Sequence, residues 1–305
     1  MTIAAGLIVS RFVHYLALSV LFGVALFPFY GFAPPRRDLQ RVRWLRPLLL
    51  SAALLGLLSG MSWFAFTTAG MSGSMSGVTD PATLSTVIRQ TDFGRVWVLR
   101  LVLGAVLILL LLPRRVTAPR FYALLLGSLI LLASIALTGH AGSDEGSAGL
   151  RHLIADAFHL VAAGVWVGAL VVLARLVTIS ARQLRDDDLR TLHHALSRFS
   201  GVGTVVVAVL VLTGLINPGF FSSSLKTAYA QVLLVKLAMF AAMLLLAAAN
   251  RFWLTPRLGA TLDSTSGLES AVGTLRKSLL TETGLAILVL AAVAWLGTLS
   301  PLGLE

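Results

Sequence analysis

The chain contains no cysteine. This absence excludes disulfide bonds, thiolate metal sites and cysteine nucleophiles, so any soft-metal chemistry must use methionine and histidine. Charge is also scarce: 12% of the residues are charged, against roughly 25% in soluble domains. A chain that is 57% hydrophobic, with a mean hydropathy of +0.89, is an integral membrane protein.

Several motifs of pumps and hydrolases are missing as well. The sequence has no Walker A phosphate loop, which argues against an ATP-driven pump, and no HExxH or GxSxG motif. No segment is long and polar enough to form a soluble aspartyl-phosphorylation domain. We therefore expect transport or electron transfer rather than an enzyme.

Long apolar runs are abundant. A membrane-spanning helix needs about 20 predominantly apolar residues. No basic leader precedes the first run and no small-residue cleavage site follows it, which favours a retained helix over a signal peptide. The expected fold is a single all-α polytopic domain over 1–305 with eight spans, near residues 3–27, 47–69, 93–112, 120–139, 153–178, 199–217, 228–250 and 279–299.

The net charge of +11 is concentrated in alternate loops. Seventeen of the 24 Lys and Arg residues lie in four loops: 34–46, 113–120, 175–198 and 251–277. The positive-inside rule places these loops in the cytoplasm and both termini outside. The basic character is explained in this way, with membrane lipid as the partner and no nucleic acid.

The first and fifth spans share a motif. His14–Gly23 and His159–Gly168 both read H-x2-A-x2-V-x2-G. If the two spans are equivalent, their histidines lie at matching depths in the bilayer.

The third and seventh spans are also similar. Thr91–Leu101 resembles Thr227–Leu237, and the alignment places Arg100 opposite Lys236. Because the order of the matching spans is preserved, we expect a parallel 4+4 repeat about an axis along the membrane normal, with halves of about 1–145 and 146–305.

Ionisable residues inside a span are costly and indicate function. His152, Asp156 and His159 fall within roughly 60° of one another on the fifth span and form one polar stripe. His159 lies about 10 Å below His152 along the helix, so the stripe resembles a path more than a single site. Arg11 and His14 share a face of the first span. Each histidine alone could simply hydrogen-bond a neighbouring helix.

Methionines and one further histidine lie near the outer face. Thioether sulfur prefers Cu(I), and imidazole binds copper or zinc. Together these residues suggest a Met/His metal entrance in a flexible Gly/Ser context, although Met61 could serve packing and the others could be ordinary loop residues. The residues are Met61, Met71, Met75 and His140.

Four further ionisable residues are expected to be buried in the bundle: Arg95, Arg100, Lys236 and Glu282. For the basic residues we favour structural ion pairs, with Asp92, Asp156 or Glu282 as the acidic partners. A proton-coupling role for Glu282 stays open.

Segments across most of the chain resemble the CopD copper-resistance membrane proteins of bacteria. No one motif is decisive, but their order and spacing through all eight spans is specific. The segments are MSGSMSGVTDPATLSTVIRQTDFGRVWVLR (71–100), Thr138–Ala141, HLVAAGVWVGAL (159–170), Arg198–Ser200, Tyr229 through Lys236 to Asn250-Arg251, and the last span with Glu282.

The resemblance implies copper uptake across the inner membrane of a bacterium, with both termini in the periplasm. Copper ion would be delivered by a separate periplasmic carrier of the CopC type. On this interpretation His14 and His159 are intramembrane ligands. His140 and His152 join the three methionines in an outer capture site, and Asp156 orients a histidine or neutralises charge.

A transmembrane b-type cytochrome is the alternative, since His14 and His159 could supply two axial haem ligands from facing helices. Gly23 and Gly168 would then relieve crowding near the macrocycle. Two-haem carriers need four such ligands, and the methionines would go unexplained. A purely structural role is a third possibility, in which replacing either histidine leaves copper-dependent growth unchanged.

Overall fold

The computed structural model describes residues 2–33, 42–138, 146–216, 227–262 and 267–300. These residues form helices and short connections. The eight predicted spans are confirmed, because eight helices are long and apolar enough to cross a membrane. They are α1 Ile3–Tyr30, α2 Leu45–Ser72, α4 Asp92–Leu111, α5 Ala118–Ala133, α6 Gly146–Gln183, α7 Asp186–Ile216, α8 Ala228–Ala249 and α10 Leu268–Leu296. The shorter helices are α3 Pro81–Gln90 and α9 Thr255–Leu262.

The two ends of the bundle differ in their connections. α3 joins α2 to α4 at one end, which we call the α3 end. The loops rich in Lys and Arg lie at the other, which we call the basic end. An Arg11 guanidinium N–H donates to the Gly297 carbonyl, so the start of α1 and the end of α10 meet at the α3 end.

α1 and α6 form the centre of the bundle. Within the most apolar stretch of 18 residues of each span, 67% of the residues are buried in α1 and 61% in α6. The corresponding share is 11% in α7 and also 11% in the span formed by α8 and α9. Gly23 of α1 lies directly on the backbone of Gly164 and Gly168 of α6, where a Cβ atom on Gly23 or Gly168 would overlap the opposing main chain. The absence of side chains there allows the two helices to touch.

The connection between α2 and α4 is more ordered than the sequence suggests. Met75–Val78 form a 3₁₀ helix, and α3 follows. Asp80 caps α3 by accepting hydrogen bonds from the Thr83 amide at 2.9 Å and the Thr83 hydroxyl at 2.6 Å. Of Met71–Met75, the stretch that we expected in a flexible Gly/Ser context, Met71 and Ser72 end α2 and Met75 begins the 3₁₀ helix. The Asp-Pro pair that starts α3 lies beyond it.

A π-helical turn, Asn250–Leu254, joins α8 to α9 without interrupting the helix. π turns are rare and are frequent at functional sites. This one lies next to α10 and turns Asn250 into the bundle, where the residue is 7% exposed.

Candidate metal site

His14 lies where α1 packs against α2 and α4. The residue is 3% exposed, and both of its ring nitrogens have hydrogen-bond partners. Nδ1 lies 3.0 Å from the Gly56 carbonyl oxygen and 3.1 Å from the Ser59 hydroxyl oxygen. Nε2 lies 2.9 Å from a guanidinium nitrogen of Arg100.

These partners assign the tautomer of His14. A carbonyl oxygen can only accept a hydrogen bond, so Nδ1 carries the proton and donates it to Gly56. Nε2 then holds a lone pair, which accepts a hydrogen bond from Arg100. Because a metal ion would bind the same lone pair, His14 can act as a ligand only after Arg100 moves away.

Aromatic rings and a second arginine surround His14. The ring centroids of Trp63 and Trp97 each lie 5.6 Å from that of His14. Arg100 Cζ lies 4.2 Å from the Trp97 ring centroid, and Arg11 Cζ lies 5.2 Å from that of Trp63. The indole faces stabilise these guanidinium groups through cation–π contacts.

His159 is held differently, between α6 and α7. Its Nδ1 lies 2.9 Å from the Thr213 hydroxyl oxygen, and that hydroxyl donates its own hydrogen to the Val209 carbonyl at 2.6 Å. Thr213 must therefore accept from His159, which places the proton on Nδ1 and the lone pair on Nε2. The Leu210 carbonyl, which lies 3.3 Å from the Thr213 hydroxyl, also accepts a hydrogen bond from the His159 ring. Among the described residues, no hydrogen bond to Nε2 is found.

A cavity of about 640 Å³ lies beside His159, where α6 and α7 meet at the α3 end. It reaches Thr213, the residue that anchors His159, and His152, the outermost member of the polar stripe. The cavity is open to the outside of the bundle, and His159 itself is not among its lining residues. The lining residues are Arg151, His152, Ile154, Ala155, Phe158, Thr213 and Ile216.

Lys236 of α8 completes this second polar region. It interacts electrostatically with Asp156, as expected, and with His159. In the first half, His14 contacts the second and third spans, α2 and α4. In the second half, His159 contacts the sixth span, α7, and interacts electrostatically with Lys236 of the seventh, α8. The repeat stays a prediction. It would require equivalent neighbours for the two histidines, and the second and third spans beside His14 correspond to the sixth and seventh beside His159.

Two other expectations for basic residues are wrong: the burial of Arg95 and a carboxylate partner for Arg100. Arg95 is exposed and pairs at 3.4 Å with Asp92 of the same helix rather than inside the bundle. Arg100 is buried, but its partners are His14 and the Thr138 hydroxyl, at 3.4 Å. No carboxylate among the described residues pairs with Arg100, because neutral acceptors and indole faces already surround the guanidinium.

Glu282 is buried as expected, at 2% exposure, but it too has no basic partner among the described residues. Its carboxylate accepts hydrogen bonds from the Trp166 indole nitrogen at 2.9 Å and from Asn250 Nδ2 at 2.8 Å. Glu282 therefore belongs to a separate polar cluster between α6, α10 and the π turn.

The three candidate methionines are at least half exposed. Met71 lies in the last turn of α2 and Met75 begins the 3₁₀ helix, so the two lie close in sequence at the α3 end. Met61 lies ten residues before Met71, about 15 Å further along α2, so the structure does not bring it to the other two. His140 lies outside the described residues.

Within the described part of the chain, no group of three or more His, Asp or Glu side chains is arranged to hold a metal ion. His152, Asp156 and His159 thus do not form a compact three-ligand site, which agrees with their expected spread of about 10 Å along α6. A metal at any one of them would need further ligands or would pass from one to the next.

Sequence reasoning missed Thr213, Asn250 and the two tryptophans beside His14. Thr213 is a single hydroxyl in the apolar run VVVAVLVLTGLI, and Asn250 ends the apolar run of α8. Isolated polar residues of this kind are a signal for a buried hydrogen bond, but they do not identify its partner. The partners here are 54 residues away from Thr213 and 32 residues away from Asn250.

Comparison with known proteins agrees with these observations. Residues 1–150 match the family model "Copper resistance protein D-like, N-terminal domain", and residues 193–296 match "Copper resistance protein D". No solved structure matches the chain.

Three relatives cover most of the chain. Copper resistance protein D of Pseudomonas syringae pv. tomato is 36% identical over 96% of both chains. Inner membrane protein YebZ of Escherichia coli (strain K12) is 30% identical over 82% of this chain and 85% of its own. Copper transport protein CutJ of Bacillus subtilis (strain 168) is 30% identical over 94% of this chain and 52% of its own. The expected resemblance is thus confirmed, and the chain belongs to the copper resistance protein D family of multi-pass inner-membrane proteins.

Proposed function

We propose that this protein carries copper across the inner membrane from the periplasm towards the cytoplasm, with Nε2 of His159 as an intramembrane ligand. One observation supports this ligand: Thr213 anchors Nδ1, while no hydrogen bond among the described residues occupies Nε2. Metal-binding histidines usually donate their other ring N–H to an oxygen in this way. The alternate nitrogen is then oriented towards the metal.

Copper would enter at the α3 end, which the positive-inside rule assigns to the periplasm. There His140, His152, Met71 and Met75 would capture the ion from a periplasmic carrier of the CopC type. Met61 would act deeper along α2. The cavity between α6 and α7 supports this route, because it connects His152 with the anchor of His159.

Asp156 and Lys236 would adjust the charge along the route. A copper ion brings positive charge into a region of low dielectric, where an unpaired charge is expensive. Asp156 now interacts with Lys236, and it would share that interaction with copper as the ion passes. His14 would be the corresponding ligand of the first half, available once Arg100 leaves Nε2.

One packing observation argues against the cytochrome alternative, in which Gly23 and Gly168 would make room for a macrocycle. Gly23 and Gly168 lie on each other's backbone, so the space between them is filled by the helices themselves.

The test is copper content and absorbance of the purified protein in lipid. We expect bound copper and no Soret band for the wild type, and loss of most copper in His159→Ala. His194→Ala is the matched control, because His194 is an exposed histidine of α7 and its variant should keep the wild-type copper content. Uptake into vesicles of defined orientation then measures direction.

Three results would contradict the proposal. Undiminished copper in His159→Ala would remove the ligand assignment. A Soret band that disappears in this variant would establish a cytochrome. Efflux of copper from the cytoplasmic side alone would reverse the direction.

A further inference from the structure

Glu282 is the buried acidic group that the copper route does not use. It lies in α10, where Trp166 of α6 and Asn250 of the π turn donate one hydrogen bond to each of its two carboxylate oxygens, Oε1 and Oε2. Three separate elements thus converge on one carboxyl group inside the bundle.

The groups that face Glu282 carry no charge. Trp166 and Asn250 are its hydrogen-bond partners, and no charged residue within the described ranges interacts with it electrostatically. The charged side chains of the elements packed on α10 have other contacts or are exposed. Arg11 of α1 binds Gly297, and Lys236 of α8 interacts electrostatically with Asp156. The exposed ones are Arg151, Arg175, Arg182, Arg251, Arg257, Glu269, Arg276 and Lys277.

Two buried polar atoms beside this cluster have no hydrogen-bond partner: Asn250 Oδ1 and Ser278 Oγ. Ser278 lies one helical turn before Glu282, on the same face of α10 and towards the basic end. Buried polar atoms are normally satisfied, so each exception calls for an explanation. Asn250 Oδ1 can accept a hydrogen bond, and none of the present neighbours donates one.

We propose that Glu282 is a proton-binding site that alternates between a carboxylate and a carboxylic acid. In the carboxylate form, both oxygens accept the hydrogen bonds seen here. In the acid form, a proton taken from water becomes the O–H group on one oxygen. Rotation of the Asn250 amide then turns Oδ1 towards this O–H, and Trp166 still donates to the other oxygen. Both the carboxylate and the carboxylic acid of Glu282 thus have hydrogen-bond partners, and no helix has to move between the two forms.

The chemistry of the site favours a proton over a metal ion. A metal ion would need further ligands, and among the described residues no group of three or more His, Asp or Glu side chains includes Glu282. On release, the proton would pass Ser278 and move towards the basic end. If the copper transport proposed above is correct, on which this step rests, Glu282 is placed to bind and release a proton in each transport cycle.

Infrared difference spectroscopy tests the proton site without copper. Purified protein in lipid is moved between mildly acidic and mildly alkaline buffer while the C=O stretch of protonated carboxyl groups is recorded. We expect a band from a buried carboxylic acid that is lost in Glu282→Gln and shifted in Trp166→Phe, because the indole hydrogen bond is removed. Glu269→Gln, an exposed position on the same helix, should keep the band.

A band that persists in Glu282→Gln, or no band at any pH, would overturn the proposal. The copper content of Glu282→Gln separates this outcome from failure of the transport proposal, and it should equal that of the wild type. In vesicles, a pH gradient should change copper uptake by the wild type and not by Glu282→Gln. If the pH gradient changes copper uptake equally in the wild type and in Glu282→Gln, the coupling of proton binding to copper transport is overturned, even when the infrared band is assigned to Glu282.

Discussion

The two intramembrane histidines carry their protons on the same nitrogen but differ in what Nε2 meets. In His14 this atom accepts a hydrogen bond from Arg100 in a fully packed site. In His159 the same atom has no hydrogen bond within the described structure, and a cavity lies beside its anchor, Thr213. His14 therefore contributes mainly to stability in this state, whereas His159 is available for ligand binding.

This difference predicts unequal effects on stability. His14→Ala should lower the free energy of unfolding by about 3 kcal/mol, because a buried guanidinium loses its nearest acceptor and a cavity remains. His14→Gln should lower it by only about 1 kcal/mol, since the amide oxygen can accept from Arg100. Tryptophan fluorescence during denaturation in detergent measures both.

His159→Ala is the comparison, and it should lower stability less than His14→Ala does. An equal loss in the two alanine variants would contradict the distinction drawn between the two sites.

Individual residues were only partly predictable. The cost of burying ionisable groups correctly identifies His14 and Glu282 as buried groups. Of the three acidic partners considered for Lys236, Asp156 is the one that interacts with it electrostatically. The same reasoning assigns Arg100 a carboxylate partner, and the partner is an imidazole. Charge alone cannot distinguish these partners, because an arginine N–H bonds to any acceptor and the choice depends on which helices pack together.

At the scale of helices, the contact between α1 and α6 depends on glycine. Gly168→Leu should separate the two helices and lower stability by about 2 kcal/mol or more, as overpacking of a close contact does. Gly201→Ala is the control, because a Cβ at Gly201 meets no atom within 4 Å. Thermal unfolding of both variants in detergent is the measurement, and equal midpoints would contradict the close contact.

α3 offers a second test at this scale. Hydrogen bonds from the Thr83 hydroxyl and amide lower the pKa of the exposed Asp80 carboxyl below its ordinary value. The cap is therefore fully present above that ordinary value and is lost as the pH falls through the lowered pKa. Asp80→Ala should speed amide hydrogen exchange in the first turn of α3 at neutral pH, whereas Asp80→Asn should preserve the cap.

The number and order of the spans were predictable because each apolar run is long enough to cross the bilayer. The ends of the spans were less predictable from the sequence. For example, α6 begins at Gly146 rather than near residue 153 and has 38 residues. α3 was missed because its apolar content is low, although Asp80 followed by Pro81 is a helix-start signal. The π turn leaves no comparable signal, since it depends on packing against α10.

For the whole molecule, the charge of the loops predicts orientation. Because the chain has no cysteine, single cysteines can report which side of the membrane a residue faces. Ser76→Cys at the α3 end should react with a membrane-impermeant maleimide in intact spheroplasts. Arg115→Cys at the basic end should react only after permeabilisation. The reverse pattern would invert the bundle and the proposed direction of copper movement.

The glycine contact between α1 and α6 also has a mechanical consequence. His14 and His159 each lie nine residues before a glycine of this contact, Gly23 and Gly168, or about 13 Å along the helix axis. If the helices pivot there, a change of about 10° in their crossing angle displaces each imidazole by roughly 2 Å, the length of a metal–nitrogen bond. The close contact between α1 and α6 would then act as a pivot, and a small rotation of the two helices about it would move both histidines.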